Sequence, residues 1–275
     1  VFDAVLLFGE ALHGALIIGV GCAVLGVYVV LRRIVFVGAA LAQLSSAGVA
    51  LALWLAGLGW FGSTHGHTIG LSLAITLAGA LFFGLGGGRR FLHHEATIGV
   101  TYAVAAAAGI LLIAKAVTGE AHDLFLQGNI LGMTRHDTLE LYWVVLPVLA
   151  IHYLFSKEFQ FISFDPETAQ TLGYRVTGWN LLLYFTLGLV IAFAMQSAGV
   201  LLVFNFLVVP AVTALLIART MAGAFVVSVA AAALAAIAGF LVSVPFDLPT
   251  GPAIIAVSGI LALLAWLRRR FRAEA

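Results

Sequence analysis

The sequence predicts an all-α fold, a polytopic membrane helix bundle of about nine spans, and three observations predict it. Hydrophobic residues make up 63% of the 275 positions and charged ones 9%, where soluble domains carry about a quarter charged residues. Apolar runs of about 20 residues, enough to cross the hydrocarbon core, fill nearly the whole chain. The basic residues gather in alternate breaks between those runs, as the cationic bias of cytoplasmic loops requires.

The runs fall near 10 to 31, 34 to 58, 69 to 87, 96 to 117, 138 to 156, 179 to 198, 200 to 218, 222 to 244 and 251 to 267. The leading VFDAVLLFGE is acidic rather than basic and does not read as a cleavable signal. In the second span Gly38, Ala42 and Ser46 recur every fourth residue, a spacing that lets helices approach closely. The same span keeps Gln43, Ser45 and Ser46 in its first half. Only MQSAG, residues 195–199, separates the sixth run from the seventh, so a re-entrant or broken helix is the alternative there, and eight or ten spans are the alternative counts.

Alternating nine spans places Arg32, Arg33, Arg89, Arg90, Lys157, Arg175, Arg219, Arg268, Arg269, Arg270 and Arg272 on one side, with Lys115 and Arg135 opposite. That split predicts a cytoplasmic carboxyl terminus and an external amino terminus, and it favours an odd count. The expected organisation is a single transmembrane domain over residues 1–275.

Several function classes are excluded on composition. A net charge of +1 supplies no concentrated basic face for nucleic acid. One cysteine, Cys22, allows neither a disulfide framework nor a cysteine-based zinc site. No carboxylate falls near a span centre: Glu10, Asp137 and Glu140 lie at outer ends and Asp247 in a loop. An intramembrane hydrolase needs a nucleophile with a base, or facing carboxylates and histidines, and none is present at depth. HHEAT, at residues 93–97, lacks the second histidine of H-E-x-x-H.

The connection KEFQFISFDPETAQTLGYRVTGW, residues 157–179, is the longest on the basic side, and its centre reads as a short helix. Asp165 suits the N-cap, Pro166 the first helical position, and Gly173 a left-handed stop about two turns later. So short a helix is marginal in water and needs a surface to pack on, either the bundle or another protein.

DPETAQTLGYRV, residues 165–176, followed after one span by GVLLVFNFLVVPAVTALLIA, residues 199–218, resembles the permease subunits of bacterial zinc, manganese and iron uptake transporters driven by ATP-binding cassettes. VLRR with GxALxxxxxxGVALA, EATIGV and LFLQGNIL are similar to further family segments in the same order. The resemblance implies that Asp165, Pro166, Glu167, Thr168, Ala169, Leu172 and Gly173 form a coupling helix that docks on a cytoplasmic ATPase. It also implies an extracytoplasmic substrate-binding protein, a second permease copy or homologue, and a bacterial or archaeal cytoplasmic membrane. The chain has no GxxxxGK[ST] phosphate loop, so ATP and magnesium belong to a separate subunit and this chain is not itself an enzyme.

In the family the second span carries an aspartate after the first glycine of that motif and a histidine four residues later, both lining the metal pathway. Here those positions hold Ala39 and Gln43. Divalent ions favour carboxylate and imidazole, so the expected pathway, Ala39, Gln43, Ser46 and Asn205 with Ser45, Gln196 and Ser197 as further neutral donors, is a weakly binding conduit. Buried polar groups also serve as hydrogen bonds between helices, and that is the reading preferred for each of these residues except Gln43, whose position matches the family's histidine. Outside, His65 and His67 in GSTHGHTIG offer an H-x-H able to pass a metal to the pore, with His13, His122 and His136 beside acidic residues. His152, near the inner end of span five, reads as a hydrogen-bonded core residue. A non-transporting scaffold subunit, or an importer of non-metal cargo, is the alternative expectation.

Overall fold

The computed structural model describes residues 9–59, 65–86, 94–115 and 130–273. Every regular element among them is helical: α1 (Gly9–Leu31), α2 (Val35–Gly57), α3 (His65–Gly84), α4 (His94–Lys115), α5 (Arg135–Leu154), α6 (Ser156–Phe164), α7 (Pro166–Thr171), α8 (Val176–Ile217), α9 (Met221–Ser243) and α10 (Thr250–Ala273). A 3₁₀ turn, Ile130–Gly132, precedes α5. Eight of these are long and apolar enough to cross a membrane, where the sequence predicts nine.

The two counts differ at one place. Helix α8 has 42 residues, and as a straight rod it would be about 63 Å long, twice the hydrocarbon thickness of about 30 Å. It does not run straight, because Gly199 interrupts it at φ 74° and ψ 166°. Its first half starts beside Arg32, which donates to Asn180 Oδ1, and climbs antiparallel to α3, with Tyr184 against Gly84 and then Gly188 against Ala80. The second half descends alongside α1, Phe206 lying against Gly19 and Ala211 against Gly26. Helix α9 then leaves from the same end, since Phe225 sits 5.1 Å from Tyr28 and Ser228 Oγ donates to the Ala23 carbonyl. The sixth and seventh predicted spans are therefore two helical arms that meet at a break at Gly199, and the described residues hold nine apolar helical segments.

Small residues set how closely the arms approach. A Cβ on Gly26 would stand 1.9 Å from the Leu207 carbonyl oxygen, and one on Gly48 would stand 2.6 Å from Ser72 Cα. Helices α1 and α2 form the centre, with 72% and 78% of their apolar windows buried, against 22% to 28% for α3, α4, α5 and α10. Tyr28, Phe83, Phe159 and Phe206 fill the core. Trp143, Tyr153, Val104 and Val226 point outward instead, which suits a surface facing lipid rather than water. Helix α10 packs back on α9 with Gly239 against Ile254.

This path sorts the charges by end. Arg32, Arg33, Lys157, Arg175, Arg219 and the arginines closing α10 share one end of the bundle, while Lys115 and Arg135 lie at the other. Arg89 and Arg90 fall outside the described residues.

Candidate functional site

Two regions gather the residues that the sequence singles out. The first is a stripe on α2. Ala39, Gln43 and Ala47 succeed one another at four-residue intervals and each retains 8% exposure, whereas Ala40, Leu41, Ala42 and Ser45 on the flanking faces retain none. Ser46 lies at the edge of the stripe, 5% exposed, and Gly109 of α4 faces it and Ala47 without a side chain between them. Leu207 reaches over Gly38, and Asn205 lies two residues earlier on the descending arm of α8. Both amide atoms of Asn205 are buried without a hydrogen-bond partner among the described residues. Leaving a buried polar group unpaired costs about 1–3 kcal/mol, so an amide in this state is poised for a ligand or water.

Ser45 makes the hydrogen bond between helices that is the more ordinary reading of a buried polar group on a span. Its hydroxyl pairs with Ser72 Oγ at 2.8 Å, and Ser72 also donates to the Ser45 carbonyl at 3.1 Å, tying α2 to α3. Gln196 is likewise engaged within its own helix, Nε2 donating to Ala192 O at 3.4 Å.

The second region is the basic end. Asp165 caps α7 by accepting from the Thr168 amide at 2.9 Å, with Pro166 as the first helical residue. Hydrogen bonds from Thr168 and then from the Glu167 amide hold its carboxyl below the usual carboxylate range. Gly173 follows at φ 89°, a left-handed conformation that closes the helix and costs glycine little. Ala169 is buried against the bundle, whereas Glu167, Thr168 and Leu172 are exposed. The short helix thus rests on the bundle by one residue and presents the rest outward.

Beneath it Arg32 donates through Nε to Ser163 Oγ at 2.8 Å and through Nη1 to Asn180 Oδ1, joining the end of α1 to α6 and α8. Sequence reasoning missed this network. Arg32 was visible only as part of a basic turn, and its two acceptors lie 131 and 148 residues away. His152 is a buried core residue as expected, Nδ1 bonded to the Val148 carbonyl at 3.0 Å and its ring stacked on Phe159 at 4.4 Å.

At the opposite end the histidines are only partly described. His67 is exposed in the first turn of α3, while the side chain of His65, and His122 entirely, lie outside the described residues. His136, Asp137 and Glu140 offer ligand atoms within 4.8 Å of one another. Asp137 is also committed to a capping box with Thr134.

Comparison with known proteins follows the same architecture. Residues 5–269 match the ABC 3 transport family. The manganese import system permease protein ScaB of Streptococcus gordonii is 32% identical over 259 residues, covering 94% of this chain and 89% of that protein. The chelated iron transport system membrane protein YfeD of Yersinia pestis is 26% identical over 261 residues, covering 93% and 83%. Among solved structures, PsaBC from Streptococcus pneumoniae in complex with Fab superposes with a TM-score of 0.83 at 25% identity, covering 96% of this chain and 94% of that one. The family model matching residues 5–269, with a relative 32% identical over 94% of the chain, places the chain in the ABC 3 transport family.

Proposed function

We propose that this protein is the permease subunit of an ATP-binding-cassette importer that carries a divalent metal, manganese or iron foremost and zinc by extension, into a bacterial or archaeal cytoplasm. The observation that carries the reading is the family match over residues 5–269, supported by relatives named for manganese and chelated iron transport. In this reading the basic end is cytoplasmic, because cationic residues collect on that side. ATP and magnesium are bound by a separate ATPase, which meets Asp165 to Gly173. A capture protein delivers cargo at the opposite end, and a second permease completes a pore along an axis near α2.

The cargo meets Gln43, Ser46 and Asn205 on its way. These are neutral oxygens, without a carboxylate or imidazole on the α2 stripe, so the ion is held weakly and released readily. Uptake of manganese, iron, zinc and their chelates by the chain reconstituted with its ATPase is the direct test, and transport of none of them rules the reading out. Restoring charge to the stripe with Gln43→His and Ala39→Asp together is expected to tighten divalent-metal binding by at least about tenfold, each added ligand contributing on the scale of a charge-assisted bond. Isothermal calorimetry of the purified complex measures it, and an unchanged affinity removes α2 from the pathway. A scaffold role is the second reading, favoured by alanine and glutamine standing where the family places aspartate and histidine.

A further inference from the structure

Between the short helix α7 and the bundle lies a hollow of about 730 Å³. Its walls come from the end of α1, the last turns of α3 and α6, α7, and the first turn of α8, with Arg32, Ser163, Glu167, Arg175, Asn180 and Tyr184 among them. Arg32 is the unusual member. Two of its three guanidinium nitrogens bond to neutral oxygens, and the third, Nη2, is buried with no acceptor. No carboxylate pairs with it among the described residues, although Glu167 shares the hollow. Burial pushes Arg32 down to about 10, with Tyr184 and Tyr28 opposing the shift, which leaves it fully charged at neutral pH.

A charged guanidinium partly withdrawn from water and given only neutral partners is incompletely compensated, and guanidinium groups pair best with carboxylate or phosphate oxygens. Arg175, exposed on the same wall, adds a second positive charge. The hollow sits where α1 leaves its apolar run, at the depth of lipid headgroups. Basic pockets between helices on the cytoplasmic side are suited to anionic headgroups, and the volume matches that of small-ligand sites.

We propose that this hollow binds a phosphate group between Arg32 and Arg175, the Arg32 guanidinium supplying fixed positive charge at the wall and Arg175 a mobile donor, and that the usual source is the headgroup of an anionic lipid. Occupancy would brace α7 against α1, α6 and α8, so that membrane composition sets how firmly the short helix is held. The site's cytoplasmic placement rests on the orientation proposed above, but phosphate binding itself does not depend on transport.

The test uses the purified full-length chain in detergent, read by native mass spectrometry with phosphatidylglycerol and with phosphatidylcholine, and by thermal shift with inorganic phosphate. The expected result is preferential retention of phosphatidylglycerol, weakened about fivefold by Arg175→Gln and more by Arg32→Gln, on the scale of one surface cation near anionic lipid. Arg269→Gln, at the end of α10 away from the hollow, is expected to leave retention unchanged. Should Arg32→Gln fail to fold, Arg175→Gln decides alone. Stabilisation by inorganic phosphate without lipid preference, lost in the same variants, assigns the site to free phosphate. Equal retention of both lipids with no phosphate shift, or loss in Arg269→Gln equal to that in Arg175→Gln, overturns the proposal. None of these readouts involves metal uptake, so a failed transport reading leaves the outcome intact.

Discussion

Asp165 shows how far a single residue can be read in advance. The order Asp, Pro and then Gly at residues 165, 166 and 173 specifies a capped, short, left-handed-terminated helix because each effect is local, and α7 has all three features. The sign of its pH dependence follows from its hydrogen bonds. Its carboxyl titrates below the ordinary value in the folded chain, so the stabilisation is present above that ordinary value and is lost as pH falls through the folded one. Asp165→Ala is expected to speed hydrogen exchange at the Thr168 amide about fivefold near neutral pH, and lowering the pH below the carboxylate range should erase the difference between variant and parent. Equal exchange at neutral pH would show that the cap does not hold this helix. Ser45 and Arg32 were less legible. A hydroxyl on an apolar span reads first as a bond between helices, but its partner, Ser72, 27 residues away, is visible only in the fold.

At the scale of elements, glycine positions carry the strongest consequence. Gly26 and Gly38 both face Leu207, but with different parts of it: Gly26 meets its backbone carbonyl, Gly38 its Cδ2 atom. A side chain can rotate away, whereas a carbonyl inside a helix moves only with the helix. Gly26→Ala is therefore expected to cost about 1–3 kcal/mol and to lower the thermal midpoint in detergent, with Gly38→Ala clearly milder. Equal effects would mean that α1 and the descending arm of α8 separate more easily than their packing indicates. The bend at Gly199 belongs to this scale too. Residues 195–199 were readable as a weak division between two apolar runs, but composition does not distinguish a loop from a one-residue break. Helical residues stand on both sides of Gly199, and its non-helical φ of 74° marks the break between the two arms.

For the whole molecule, the path of the chain puts Arg175 and Arg135 at opposite ends, and the orientation proposed from the basic bias predicts which side labels each. Cysteine placed at Arg175 should react with an impermeant maleimide only in inside-out vesicles, and cysteine at Arg135 only in right-side-out cells; native Cys22 is fully buried and serves as a silent background. Labelling of both positions from one side would contradict their placement at opposite ends. By itself the sequence determined the membrane class, the helical content, the charge bias between ends and the capped short helix, because these follow from composition, apolar run length and contacts within a few residues. Tertiary structure alone decided that the break between the sixth and seventh runs is the single residue Gly199, that Ser45 ties α2 to α3, that the Asn205 amide is left unpaired, and that Arg32 lines a hollow beneath α7. Each of those depends on which residues distant in sequence come within a few ångströms, and in a chain so uniformly apolar the pattern of hydrophobicity carries almost no record of which helix faces which.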